Sequence, residues 1–238
     1  MAVRGVSVTR KVITLEPGVS GVGESRALTL SAVSAWYGQA QVIWDASIAV
    51  GEREFLGIVG RNGAGKTTLL RVIARLHGRA RGSIDLFGHQ TIGLRPEEVA
   101  RLGLGIMREG GGIFESLSVR DHLVLAARLA ARRGRTTSTD AAWEWFPMLH
   151  KSRDVKGGYL SGGQRKMLGL AMAFVSRPGC LLLDEPSAGL AESVTENVFE
   201  VIGRLAQQDM ALVVAEQDPK WLTRADRVHE LEVGRIVS

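Results

Sequence analysis

From Leu28 onward the chain is written in short apolar blocks separated by Gly, Pro and polar turns. Residues 28–33 (Leu-Thr-Leu-Ser-Ala-Val) and 41–44 (Gln-Val-Ile-Trp) predict short strands, with Tyr37-Gly38 as the turn between them. Residues 54–59 (Glu-Phe-Leu-Gly-Ile-Val) predict an apolar strand that runs into a Gly-rich loop. Residues 67–76 then carry apolar positions at helical spacing. Residues 82–88 predict a short strand closed by a Gly turn, and residues 96–175 predict mostly helix. Within that stretch Pro96 with Glu97 and Glu98 suits a helix start. Ser118 with Asp121 three residues on reads as a capped helix that ends near Gly134. Residues 181–183 and 211–215 predict buried strands, residues 191–207 a helix, and residues 227–237 a strand pair around Gly234. Strands alternating with helices imply an α/β fold with a mainly parallel sheet. The long helical stretch implies a helical subdomain, about residues 96–175, inserted into a core spanning residues 28–238. Residues 1–27 lack sustained periodicity and read as an N-terminal extension.

Composition narrows this little further. The 238 residues are 45% hydrophobic and 23% charged, ordinary globular values that exclude collagen, low-complexity disorder and a small disulfide scaffold. The net charge of +5 suits phosphate ligands, nucleic acid or an anionic membrane face without choosing among them. One cysteine, Cys180, lies in an apolar run and forms no disulfide within the chain. No apolar run approaches the ~20 residues of a membrane span. The N-terminus has Arg4, Arg10 and Lys11 but no apolar signal region, so the chain reads as cytoplasmic.

Three short segments carry the chemistry. Gly60-Arg61-Asn62-Gly63-Ala64-Gly65-Lys66-Thr67, followed by Thr68, matches G-x-x-x-x-G-K-[ST] between a predicted strand and a predicted helix. Glycines let backbone N–H groups fold around phosphates, and the helix N-terminus adds partial positive charge. Lys66 can reach the β- and γ-phosphates, and the Thr67 hydroxyl can ligate Mg²⁺. The apolar strand at 181–183 ends in Asp184-Glu185, where an Asp can hold Mg²⁺ and the next carboxylate can polarise the attacking water. Between them, Leu160-Ser161-Gly162-Gly163-Gln164 precedes a helix that Ser161 can cap.

In this order the three segments resemble the ATP-binding subunit of an ABC transporter, over about residues 28–237. The resemblance implies a P-loop NTPase (RecA-like) core, an N-terminal antiparallel β subdomain and the inserted helical subdomain. It implies ATP and Mg²⁺ as ligands, with Tyr37 stacked on adenine. It also implies a head-to-tail pair in which Ser161, Gly162, Gly163 and Gln164 close the opposite site. Catalysis falls to Glu185 and Lys66, with Gln217 standing where most members have a γ-phosphate-sensing His. Thr67, Asp184 and Glu109 become the metal set, Glu109 standing where most members have a Gln. These two departures, with residues 113–119 and 182–191, resemble the ATPases of branched-chain amino acid and urea-type importers. Gly111-Gly112 and Met172 depart from that subgroup, standing where it has Arg. Implied partners are membrane permease subunits, a second ABC ATPase (the same chain or a related one) and a solute-binding protein. The implied location is the inner face of the cell membrane. The competing reading is a non-transport ABC ATPase whose ATP-driven dimerisation acts on nucleic acid or a soluble partner. A chain with one cassette and no coiled-coil insertion argues against nucleic acid.

Overall fold

The computed structural model describes residues 25–135 and 138–237. Strand β1 (Arg26–Tyr37) turns at residues 38–39 into β2 (Ala40–Gly51), and β3 (Phe55–Val59) leads through a loop to helix α1 (Lys66–Ile73). Strands β4 (Ala80–Leu86) and β5 (His89–Gln90) follow, then α2 (Pro96–Leu102), β6 (Leu104–Met107), α3 (Val119–Arg132), α4 (Thr139–Trp145), α5 (Pro147–His150) and α6 (Gly162–Ser176). The chain ends with β7 (Cys180–Asp184), α7 (Glu192–Ala206), β8 (Ala211–Glu216), β9 (Arg227–Glu232) and β10 (Arg235–Ile236).

Two sheets form. The antiparallel one has the order β2-β1-β4-β5. The other has the order β10-β9-β3-β8-β7-β6, parallel throughout except for the β9–β10 pair. Its central strands are buried on both faces, which is why they read as unbroken apolar runs. Alternate side chains divide between two cores. Leu182, Val213, Leu56 and Ile58 pack with α1 and the antiparallel sheet. Leu181, Leu183, Leu212 and Val214 pack with α3, α6 and α7. Cys180 is fully buried in the first core, and desolvation pushes its thiol up to about 12.

The parallel core and the antiparallel N-terminal sheet are as the sequence predicts, with three differences. Residues 28–33 and 41–44 are parts of one long hairpin, in which bulges interrupt the alternation that marks a strand. Residues 96–175 are not all helix. Leu104–Met107 pairs in parallel with Cys180–Leu183 as the edge strand of the main sheet, a segment too short for its period to show. β1 also begins at Arg26, inside the predicted extension, the rest of which (residues 1–24) lies outside the described residues. The capping predictions hold in detail. The Ser118 hydroxyl accepts the Asp121 N–H, and the Asp121 carboxylate accepts the Ser118 N–H. Pro96 occupies the first turn of α2, and Gly103 closes it in the left-handed region.

Candidate nucleotide site

The loop from Gly60 to Gly65 joins the C-terminal end of β3 to the N-terminus of α1, so successive backbone amides and a helix start face one space. Gly65 caps α1 at φ 108°, a conformation closed to most residues with a side chain. At Gly60 a Cβ would lie 2.5 Å from the Leu231 carbonyl oxygen, so the loop can run against β9 only as glycine. The β9–β10 turn braces it further, since the Gly234 N–H donates to the Ala64 carbonyl at 2.8 Å.

Lys66, 3% exposed, folds back over its own loop. Its Nζ donates to the carbonyls of Gly60 (2.6 Å) and Arg61 (3.2 Å) and pairs with Glu185 Oε1 at 2.9 Å. The Thr67 hydroxyl donates to Asp184 Oδ1 at 3.0 Å. Parallel pairing of β7 with β8, and of β8 with β3, brings the Asp184-Glu185 end beside the loop across 117 residues of sequence. Burial pushes the Asp184 carboxyl above its ordinary range, against the Thr67 hydrogen bond; Glu185 and Glu109 push the same way. Thr67, Asp184, Lys66 and Glu185 therefore form one cluster.

A cleft of about 270 Å³ opens on this cluster, lined by Gly63, Gly65, Lys66, Thr67, Thr68 and Glu185 and, opposite, by Gln41, Val42, Trp44 and Val233. Asn62 and Ala64 lie on a neighbouring cleft shared with β9. Tyr37 is not on the wall of the first cleft. It ends β1, 48% exposed, edge-on to His77 with ring centroids 4.6 Å apart. The aromatic on that wall is Trp44, with the Arg235 guanidinium 4.8 Å over its ring. Trp44 lies in a predicted strand but carries no motif that marks it.

Ser161, Gly162, Gly163 and Gln164 do not line the cleft either. They start α6, where the Ser161 hydroxyl accepts the Gln164 N–H (3.3 Å) and the Gln164 side chain accepts the Ser161 N–H (2.9 Å). A Cβ on Gly163 would lie 2.7 Å from Val194 Cγ1, so this end of α6 abuts α7 closely. Glu109 is exposed in the turn after β6, and its charge acts on both Asp184 and Lys166. Gln217 is exposed in the bend after β8, its N–H donating to the Glu216 carboxylate at 3.2 Å.

Two charged residues beside the site were missed in the sequence. Lys166 and Glu216 are 4% and 1% exposed. The signal at Lys166 is its place among the apolar positions of α6, three and four residues from Gly169 and Leu170.

A loop–strand–carboxylate arrangement of this kind defines a P-loop nucleoside-triphosphatase core. The comparisons make the class specific. The family model described as "ABC transporter" matches residues 43–188. The high-affinity branched-chain amino acid transport ATP-binding protein BraG of Pseudomonas aeruginosa is 35% identical over 88% of this chain and 91% of its own. The lipoprotein-releasing system ATP-binding protein LolD of Bordetella pertussis is 31% identical over 82% of this chain and 87% of its own. A dimeric ATP-binding cassette, solved in a post-hydrolysis state with ADP and Pi, has the same fold. Its TM-score is 0.77 at 20% identity, over 89% of this chain and 97% of that one. The chain belongs to the ABC transporter family and is an ATPase, an ATP-binding subunit of that class.

Proposed function

We propose that this chain powers import of branched-chain amino acids, urea or a related small polar solute. It works as a head-to-tail pair with a second copy or a related ATPase, docked on membrane permease subunits at the inner face of the membrane. A solute-binding protein delivers the solute. The observation that carries the hydrolytic part is the double contact between P-loop and β7: Lys66 to Glu185 and Thr67 to Asp184. It supports a reading in which Lys66 is the cation for phosphate oxygens, Thr67 and Asp184 are oxygen donors for a hard metal, and Glu185 is the carboxylate for water.

In this reading the loop amides and Lys66 bind the β- and γ-phosphates, and Lys66 exchanges carbonyl partners for phosphate oxygens. Glu185 orients a water and takes its proton as the water oxygen attacks the γ-phosphorus and ADP leaves. Thr67 and Asp184 are the hard oxygen donors Mg²⁺ prefers, with Glu109 nearby. Among the described residues no cluster of three or more His, Cys, Asp or Glu forms a metal cage. That fits an ion completed by phosphate oxygens and water. When bound it neutralises charge on the phosphates. Gln217 can hydrogen-bond but does not titrate near neutral pH, so it serves as a γ-phosphate sensor rather than as an acid or base. Tyr37 stacks on adenine, for which it must turn from His77 toward the cleft.

Ser161 to Gln164 stand away from the cleft of their own chain, and this supports their serving the cleft of a partner. No helix among the described residues is long and apolar enough to cross a membrane. The solute is inferred from likeness to BraG, together with residues 113–119 and 182–191. LolD, at similar identity, motivates the second reading, lipoprotein release.

Uptake separates the two. Deleting the gene in its source cells is expected to cut high-affinity uptake of radiolabelled leucine about tenfold or more, with glucose uptake unchanged. Normal leucine uptake with lipoproteins held in the inner membrane supports the LolD-like reading instead.

A further inference from the structure

The loop after β7 is gripped from two sides by buried ionic side chains that the hydrolysis scheme above does not use. From α6, Lys166 Nζ donates to the carbonyl oxygens of Glu185 (2.9 Å) and Ala188 (2.7 Å). From the end of β8, Glu216 accepts the Ser187 N–H at 2.8 Å and the Ser187 hydroxyl at 2.7 Å. The cation holds carbonyls and the anion holds donors, so each charge meets the matching polarity of one short segment. Burying an ammonium and a carboxylate is costly unless hydrogen bonds replace their water. That cost shows in the directions of titration: burial pushes Lys166 down and Glu216 up.

Glu185 lies at the centre of the grip with φ 45°, in the left-handed region that residues with a side chain occupy under strain. Such strain persists only where the surroundings over-determine the backbone. Here the Glu185 N–H donates to the Ala215 carbonyl (3.0 Å), and its own carbonyl receives the Ala188 N–H (3.1 Å) as well as Lys166. The resulting turn aims the Glu185 carboxylate at Lys66 Nζ.

We propose that Lys166 and Glu216 are positioning residues for ATP hydrolysis, clamping residues 185–188 in the strained turn that aims the Glu185 carboxylate. The proposal rests on the reading of Glu185 as the group that orients water. Lys166 stands in the second turn of α6, the helix that Ser161 caps. The clamp therefore ties that end of α6 to the Glu185 carbonyl of the same chain.

The test compares Lys166→Met, which has no donor, with Lys166→Gln, whose amide nitrogen keeps two N–H groups on a stem one bond shorter. In the full chain the methionine variant is expected to lower kcat roughly 10–100-fold, the scale of a small misplacement of a reacting group. KM for ATP stays within about threefold, and the glutamine variant recovers most of the rate. Hydrogen exchange in residues 185–190 should quicken in the methionine variant while β7 and β8 stay protected. Parental kcat, a KM that rises in step with the loss, or no recovery with glutamine overturns the proposal. Should the methionine chain fail to fold, Glu216→Gln reads the clamp from the other side, and again a kcat loss at constant KM is expected and an unchanged kcat overturns. A parallel Glu185→Gln chain separates the layers. If it hydrolyses ATP at the parental rate, the reading of Glu185 fails; if it is inactive while Lys166→Met is normal, the positioning role alone fails.

Discussion

Glu185→Gln is expected to lower steady-state ATP hydrolysis about 10²–10⁴-fold, the usual contribution of a positioned general base, while ATP binding stays within a few-fold of the parent. The substitution is isosteric. The amide oxygen can still accept from Lys66 Nζ, now 2.9 Å from Glu185 Oε1, so the P-loop keeps a partner. What disappears is the negative charge and the site for the water's proton. The side chain is 19% exposed at the cleft, so the amide stays partly hydrated and brings no large folding penalty. Phosphate release by the purified chain, beside its ATP affinity, reads both halves. Near-parental turnover with intact binding would assign the base to another residue.

Lys66→Ala is expected to act on binding itself. The ammonium is nearly buried and holds three oxygens at 2.6–3.2 Å. When nucleotide enters, phosphate oxygens are the natural replacements. A charge-assisted hydrogen bond contributes about 1.5–3 kcal/mol, so losing two such contacts weakens ATP roughly a hundredfold or more. Alanine also leaves Glu185 without its cation next to incoming phosphate charge, which adds to the loss. Calorimetry of ATP with the parental and variant chains measures it, and an unchanged Kd contradicts the placement of the phosphates on this loop.

The parts of the site legible in the sequence are those whose chemistry is local. The P-loop needs its glycines, Lys66 and Thr67 in one stretch of strand, loop and helix start, and the text carries all of it. Asp184 and Glu185 were legible because a buried strand that ends in two carboxylates stands out against Leu181-Leu182-Leu183. The contact between these segments was readable only through the family resemblance; the parallel register of β3, β8 and β7 creates it, and register leaves no mark on a single strand. β6 escaped because four residues between helices carry too little period to separate strand from helix. Lys166 and Glu216 escaped for a related reason. A charge near the start of a helix or at a strand end normally reads as solvent-facing, and here both point inward, where the loop at 185–188 supplies their hydrogen bonds. Trp44 reached the cleft wall through the long β1–β2 hairpin, whose length its bulges obscure.

The measurement that bears most directly on the central claim uses the Glu185→Gln chain as bait. It is purified with Mg-ATP from a detergent extract of the source cells, and what accompanies it is identified by mass spectrometry. The account predicts multi-span permease subunits, with a second cassette of the same or a related sequence. Soluble partners or nucleic acid with no membrane protein would contradict it, and would make the chain an ATP-driven switch rather than the motor of a transporter.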